Sequence, residues 1–175
     1  MPAVWLVSDA RSDARLESAL ARLPRGSGLI YRHYHLPPRE RRARFEALAA
    51  IARTHGHWLV LAGTVREARA WRADGAYGPP SRLARGPAAL RLVTAHSLAE
   101  VAMARRARAD AVVLSPVFAT RSHPGARVLG PLRFRLLAAR AGVRVVALGG
   151  MDAARRRRIG CTAWAAIDGL IPKDS

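Results

Sequence analysis

The chain has 175 residues, is 50% apolar and carries a formal net charge of +18. That is enough for one domain with a real core and excludes a disordered chain. No apolar run approaches the roughly 20 residues that span a bilayer, and a lone cysteine, Cys161, excludes an internal disulfide and a cysteine metal cluster.

Strand-like and helix-like runs alternate from the start. Residues 3–8 are apolar and β-rich, and Asp9 ends that run too early for a signal peptide. Residues 13–23 follow with Leu16, Ala19, Leu20 and Leu23 at helical spacing, then a second strand over 28–34. Pro37 and Pro38 open a helix that places Phe45, Leu48, Ala49 and Ala52 on one face and stops at Gly56. A third strand covers 58–61. Thr64 and Glu67 have capping-box spacing and start a helix to Arg72.

Ala76 and Tyr77 make a very short fourth strand, followed by a Gly/Pro-rich stretch over 78–87. The fifth strand, 90–95, leads to a second capping box at Ser97 and Glu100 and a helix to Ala109. The sixth strand, 111–117, is followed by a long loop to Gly130 and a helix over 131–141. The seventh strand, 143–148, runs into Gly149 and Gly150. A short helix over 152–159 and an eighth strand over 162–167 complete the pattern.

Eight strands separated by helices predict a parallel sheet closed into a TIM (β/α)8 barrel, one domain over 1–175. The length lies below the roughly 250 residues typical of that fold. It leaves no room for an eighth helix after Leu170, so an uncovered apolar flank there predicts a homodimer. A cytoplasmic protein is the default expectation.

The charge invites a nucleic-acid reading. Only one of the 30 basic residues is lysine, Lys173, which points to a GC-rich coding bias. The arginines are spread over most helices, and the dense run Arg155 to Arg158 lies on a short helix. A solvated surface is the better reading, with nucleic acid disfavoured as a partner.

Ligands of such barrels bind where strands run into the following loops. That rule collects Ser8 and Asp9, Arg32 to Tyr34, Ala62 and Gly63, Tyr77, Thr94 to His96, Ser115 to His123, Gly149 and Gly150, and Asp168 and Gly169. Paired glycines let backbone approach a ligand, and amides opening a helix favour anions. The set is rich in groups that bind anions or move protons, and Arg32, Thr94, His96, Ser115, Thr120, His123, Gly149, Gly150 and Gly169 are the candidates it offers. Asp168 would repel a phosphate dianion if it faced one. His33, His35, His55 and His57 read as loop or surface residues, and Trp71 and Phe134 as helix packing. No His/Cys/Asp cluster shows metal-ligand spacing.

These residues carry a resemblance. Ala111-Val-Val-Leu-Ser-Pro-Val-Phe-Ala-Thr120, the following Leu129-Gly130, Val145-Val-Ala-Leu-Gly-Gly-Met151 and Thr94-Ala-His96-Ser97 resemble the motifs of the thiamine phosphate synthase and thiazole tautomerase superfamily. Ser8-Asp9 is similar to its Thr-Asp, and Ala109-Asp110 and Asp74-Gly75 to its Ala-Asp pattern. The likeness runs in order along nearly the whole chain and is strongest from Leu90 to Gly150. It implies a barrel of thiamine metabolism that binds a phosphorylated thiazole.

The resemblance also implies losses. The synthases hold a pyrophosphate with a Mg2+ bound by aspartates, an arginine and lysines. Arg32 matches the arginine. The lysine positions fall on Tyr34 and His123, the Asn-Asp on Ala62 and Gly63, and the element after strand four on Tyr77-Gly78-Pro79-Pro80 with no acid following. Without metal and lysines, the charge developing on a pyrophosphate leaving group has little to stabilise it. The expectation is therefore no cofactor and tautomerase-like rather than synthase chemistry, with His96 moving a proton on a thiazole carboxylate phosphate. The alternative is a catalytically degenerate homologue that binds a ligand or regulates.

Overall fold

The computed structural model describes residues 1–122 and 125–171. Eight parallel strands close into one barrel in sequence order. They are β1 (Val4–Val7), β2 (Gly28–Tyr31), β3 (Trp58–Ala62), β4 (Gly75–Gly78), β5 (Leu90–Ala95), β6 (Ala111–Leu114), β7 (Arg144–Ala147) and β8 (Ala163–Ala166). Among the described residues, seven α-helices alternate with them: α1 (Leu16–Arg22), α2 (Pro38–Thr54), α3 (Val65–Ala70), α4 (Pro80–Leu83), α5 (Leu98–Arg106), α6 (Gly130–Ala141) and α7 (Ala153–Ile159). The barrel closes where Val4 and Leu6 of β1 pair with Trp164 and Ala166 of β8. Among the described residues, no helix is long and apolar enough to cross a membrane.

Alternation along each strand sorts side chains into two cores. Trp5, Val7, Ile30, Val60, Leu92, Val113, Val146 and Ala165 fill the barrel interior. Leu6, Leu29, Leu61, Val93, Val112 and Ala147 face outward and pack with Leu20, Phe45, Leu48, Val101 and Phe134 from the helices. Gly28 shows how tightly the interior is filled, since a Cβ there would lie 2.1 Å from the Trp5 ring. Trp71 packs on Phe45 with ring centroids 5.3 Å apart, the helix-packing role expected of it.

The end opposite the mouth is tied by carboxylates. Asp74 accepts the Leu59 amide at 2.7 Å and Asp110 accepts the Arg91 amide at 2.8 Å. The two Ala-Asp/Asp-Gly elements of the sequence thus join the entry of one strand to its neighbour. The Thr64 and Glu67 capping box is complete, whereas at α5 Ser97 accepts from the Glu100 amide but the Glu100 carboxylate takes the His96 amide, so the second box forms only its hydroxyl half.

Several expectations need correction. The Gly/Pro-rich stretch after β4 contains a one-turn helix, α4, which Pro80 enters at a position where its missing N–H costs nothing. A 3-10 turn over Ala10–Arg15 precedes α1. The second strand ends at Tyr31 rather than Tyr34, because His33 takes a left-handed φ of 34° that a strand cannot continue. His33 and His57 are buried, not surface residues. The flank of β8 is not uncovered, for Trp164 is 5% exposed and Ala166 3%. The observation that motivated a dimer is therefore gone. Large exposed apolar side chains lie instead on α6, where Leu132 and Leu136 sit one turn apart.

Candidate functional site

Two cavities open where the strands end. The first, about 460 Å³, is walled by Arg32, Tyr34, Tyr77, Thr94, His96, Ser115, Thr120 and Gly149, with Leu148 and Ile167 among its apolar lining. The second, about 650 Å³, is lined by Thr120, Arg121, Gly149, Gly150, Asp152, Arg155, Arg157, Asp168 and Gly169. Thr120, Leu148, Gly149 and Ile167 line both, so the two meet at a shared waist.

Six of the nine residues singled out from sequence therefore converge on the first cavity. Gly150 and Gly169 join Thr120 and Gly149 in the second. His123 lies outside the described residues.

His96 follows β5 and is exposed to the cavity mouth. Its Nδ1 bonds the Ser115 carbonyl, and its backbone amide donates to the Glu100 carboxylate at 2.6 Å. A carbonyl only accepts, so Nδ1 carries a proton, and in the neutral ring the lone pair then sits on Nε2. That arrangement presents a base on a ring whose orientation is fixed from behind.

The glycine turn after β7 is shaped by the loop that follows β6. The Val117 and Phe118 amides donate to the Leu148 and Gly149 carbonyls at 2.8 and 3.0 Å. A Cβ on Gly149, whose φ is +95°, would lie 2.6 Å from Pro116, and one on Gly150 would lie 2.4 Å from the Ala119 carbonyl. These glycines make room for protein as well as for any ligand. Gly169 likewise passes close to the Met151 carbonyl, 2.2 Å from a notional Cβ. At the start of α7 the Asp152 carboxylate accepts the Arg155 amide at 2.8 Å, and Arg155 itself donates to the Gly150 carbonyl.

Asp168 does not stand as a free negative charge over the second cavity. Arg11 and Arg121 each approach its carboxylate at 3.6 Å. Arg11 also bonds Asp9 at 2.8 Å and Ser122 at 2.8 Å, which ties the β1 loop to the loop after β6. Burial pushes the Asp9 carboxyl up, but its bonds and charge contact with Arg11 outweigh this and hold it below the usual range.

The first cavity has one charged side chain among its described lining residues, Arg32, and no carboxylate. Ala62 and Gly63 supply no oxygen side chain at the end of β3. Asp9 and Asp168 are engaged by arginines, and among the described residues no three His, Cys, Asp or Glu gather in a way that could hold a metal. These residues do not fit a bridging Mg2+ site. Tyr77 brings its ring from β4 into the wall, and burial pushes its phenol up to about 12.

Sequence reading collected Tyr34 and Tyr77 at the barrel mouth but made neither a candidate ligand, and the structure places both in the cavity wall. Inward alternation along β4, with Tyr77 between Ala76 and Gly78, was the available signal for the second. It also missed a buried chain behind the mouth. Ser8 Oγ lies 2.8 Å from His33 Nδ1, and His33 Nε2 lies 2.7 Å from Asp13.

A closed eight-stranded barrel with its polar cavities at the C-terminal ends of the strands defines a (β/α)8-barrel protein with its candidate site in the loops of the mouth. The chain belongs to the thiamine monophosphate synthase family, which matches residues 4–170. Among solved structures it is similar to a thiamine phosphate pyrophosphorylase from Pyrococcus furiosus, at 24% identity and a TM-score of 0.79, covering 94% of this chain and 84% of that one. A second thiamine phosphate pyrophosphorylase, from Bacteroides thetaiotaomicron, aligns at 16% identity and 0.61, over 95% and 82%. A 2-keto-3-deoxy-6-phospho-gluconate aldolase from Zymomonas mobilis reaches 14% and 0.60, over 94% and 81%, and shares the fold. No curated protein matches the chain.

Proposed function

We propose that this protein binds a phosphorylated thiazole across the two cavities and catalyses a proton shift on it, in the manner of a thiazole tautomerase. The observation that carries this reading is His96, held by the Ser115 carbonyl with Nε2 as base, on the wall of a cavity that contains Arg32 and no carboxylate. The ligand phosphate belongs in the second cavity, against the Gly149 and Gly150 backbone and the arginines there. The ring occupies the first, and its carboxylate faces Arg32.

In the reaction a proton leaves one carbon of the ligand for Nε2 of His96 and returns from it to another. The step is an isomerisation, so atoms and electrons balance with no co-substrate and no metal. Tyr34 and Tyr77 supply flat walls for a heterocycle. The missing carboxylates and lysines speak against pyrophosphate release, and they also favour a second reading, a homologue that binds such a ligand without turnover.

Conversion of a thiazole carboxylate phosphate to its aromatic isomer, followed by ultraviolet absorbance, tests the proposal. The wild type should turn it over, and His96→Ala should lose at least about 100-fold in kcat while binding the ligand unchanged. Binding without turnover in the wild type establishes the second reading. Robust Mg2+-dependent pyrophosphate release from a pyrimidine pyrophosphate would overturn both.

A further inference from the structure

Behind the first cavity lies a polar cluster that the proposed chemistry does not use. Ser8 directly follows β1, His33 lies just past β2, and Asp13 stands on the 3-10 turn between β1 and α1. The order Ser, His, Asp invites comparison with a nucleophilic triad. However, Ser8 is 0% exposed and His33 1%, and neither lines a cavity, so the hydroxyl has no substrate within reach.

The direction of the bonds shows what the cluster holds instead. A carboxylate accepts only, so His33 Nε2 donates to Asp13. In the neutral ring Nδ1 must then accept, and the partner it faces is the Ser8 hydroxyl. Having donated to His33, Ser8 Oγ keeps its lone pairs for the Arg32 amide, which donates to it at 2.8 Å. The far side of the same residue is fixed too, because Arg41 donates to the Arg32 carbonyl at 3.0 Å and to the Ala62 carbonyl at 2.8 Å. Asp13 is in turn gripped by Arg44, whose Nε lies 2.8 Å away and which also pairs with Glu17. The Tyr31 ring stacks on His33 at 4.8 Å.

We infer that Ser8, His33 and Asp13 are positioning residues, a hydrogen-bond relay that locks the Arg32 backbone so that its guanidinium meets a carboxylate on the ligand ring. The inference rests on the reading of Arg32 as an anion ligand in the mouth. Between the end of β2 at Tyr31 and a left-handed His33, Arg32 would otherwise sit on a loosely held turn, and binding would have to order its guanidinium at an entropic cost.

Two probes separate the relay from general stability. They are a thiazole phosphate bearing the ring carboxylate and the same compound without it, titrated calorimetrically. Wild type should favour the carboxylated probe. Arg32→Ala and Ser8→Ala should each weaken it roughly fivefold to tenfold and leave the plain probe within about twofold. Ser8→Ala added to Arg32→Ala should weaken it no further, and Ser8→Thr should restore the preference. Should Ser8→Ala not fold, Asp13→Ala, at a partly exposed position, carries the same comparison. Equal weakening of both probes by the relay variants overturns the relay. So does an undiminished preference in them while Arg32→Ala loses it, an outcome that leaves the reading of Arg32 intact. No preference in wild type removes that reading and the relay together.

Discussion

The two halves of the barrel mouth satisfy their polar groups in opposite ways. From β1 to β4, the strand ends bond to one another: Asp9 to Arg11, Ser8 to His33 and Arg32, Arg41 to two carbonyls. From β5 to β8, Thr94, His96, Ser115, Thr120 and Gly149 line open space. The resemblance to the synthases is strongest along the second half, and the first half lacks the carboxylates and one of the two lysines. The difference teaches that the first half uses most of its polar groups to hold its own loops, leaving Arg32, Tyr34 and Tyr77 to face the cavity, while the second turns its polar groups toward open space.

The sharpest way to break this contrast is His96→Ala. It should abolish isomerisation, by at least about 100-fold, and leave thermal stability within about 0.5 kcal/mol, measured by denaturant melts. A stability loss as large as that of a core residue would put His96 on the architectural side.

Gly149→Val should cost more in folding, roughly 2–5 kcal/mol, because it combines a left-handed φ with a Cβ inside contact distance of Pro116. Ligand binding should fall with it, as the glycine turn and the loop after β6 are one packed unit. Retained stability would mean that the loop moves aside without cost.

The architectural half should reveal itself through acid. Burial pushes the His33 imidazole below its ordinary value, outweighing the Asp13 carboxylate, and burial pushes His57 the same way. Below the ordinary histidine value of 6.5 the unfolded chain takes up protons that the folded chain resists, so stability is full above that pH and falls as pH drops through it. A second loss follows further down. Thr64 bonds hold Glu67 low, and Asp13 lies low despite burial because His33 and Arg44 outweigh it. Urea melts at pH 7.5 and 5.0 should show the first loss, and His33→Gln should flatten it. An unchanged slope in that variant would exonerate His33.

Tyr77→Phe should have the smallest effect. Burial keeps the phenol neutral, so the ring is the part that walls the cavity, and ligand affinity should change by less than about threefold. A tenfold loss would make the hydroxyl a ligand contact and bring β4 into the chemical half.

The barrel itself was legible because its signals are local. Apolar strand runs, two capping-box spacings and helix punctuation such as Pro38 and Gly56 are read unit by unit, and the closed topology follows from the number of units. The glycine turn and His96 were legible too, since the C-terminal ends of barrel strands collect them by rule. Boundaries failed where tertiary bonds overrode the pattern, as at His33, whose bonds to Ser8 and Asp13 draw the chain out of β2 after Tyr31. The relay itself joins residues 25 and 20 positions apart, and no spacing in the sequence encodes that meeting. The salt links of Asp168 to Arg11 and Arg121 are equally long-range, which is why that carboxylate looked misplaced.

The waist where both cavities share Thr120, Leu148, Gly149 and Ile167 makes them one continuous space with two unlike ends. On the proposed reading, an occupant seated at both ends carries its phosphate on a tether that crosses this neck. Homologous phosphates with longer or shorter arms are then expected to compete poorly even when their rings are identical, an outcome that competition titrations would check.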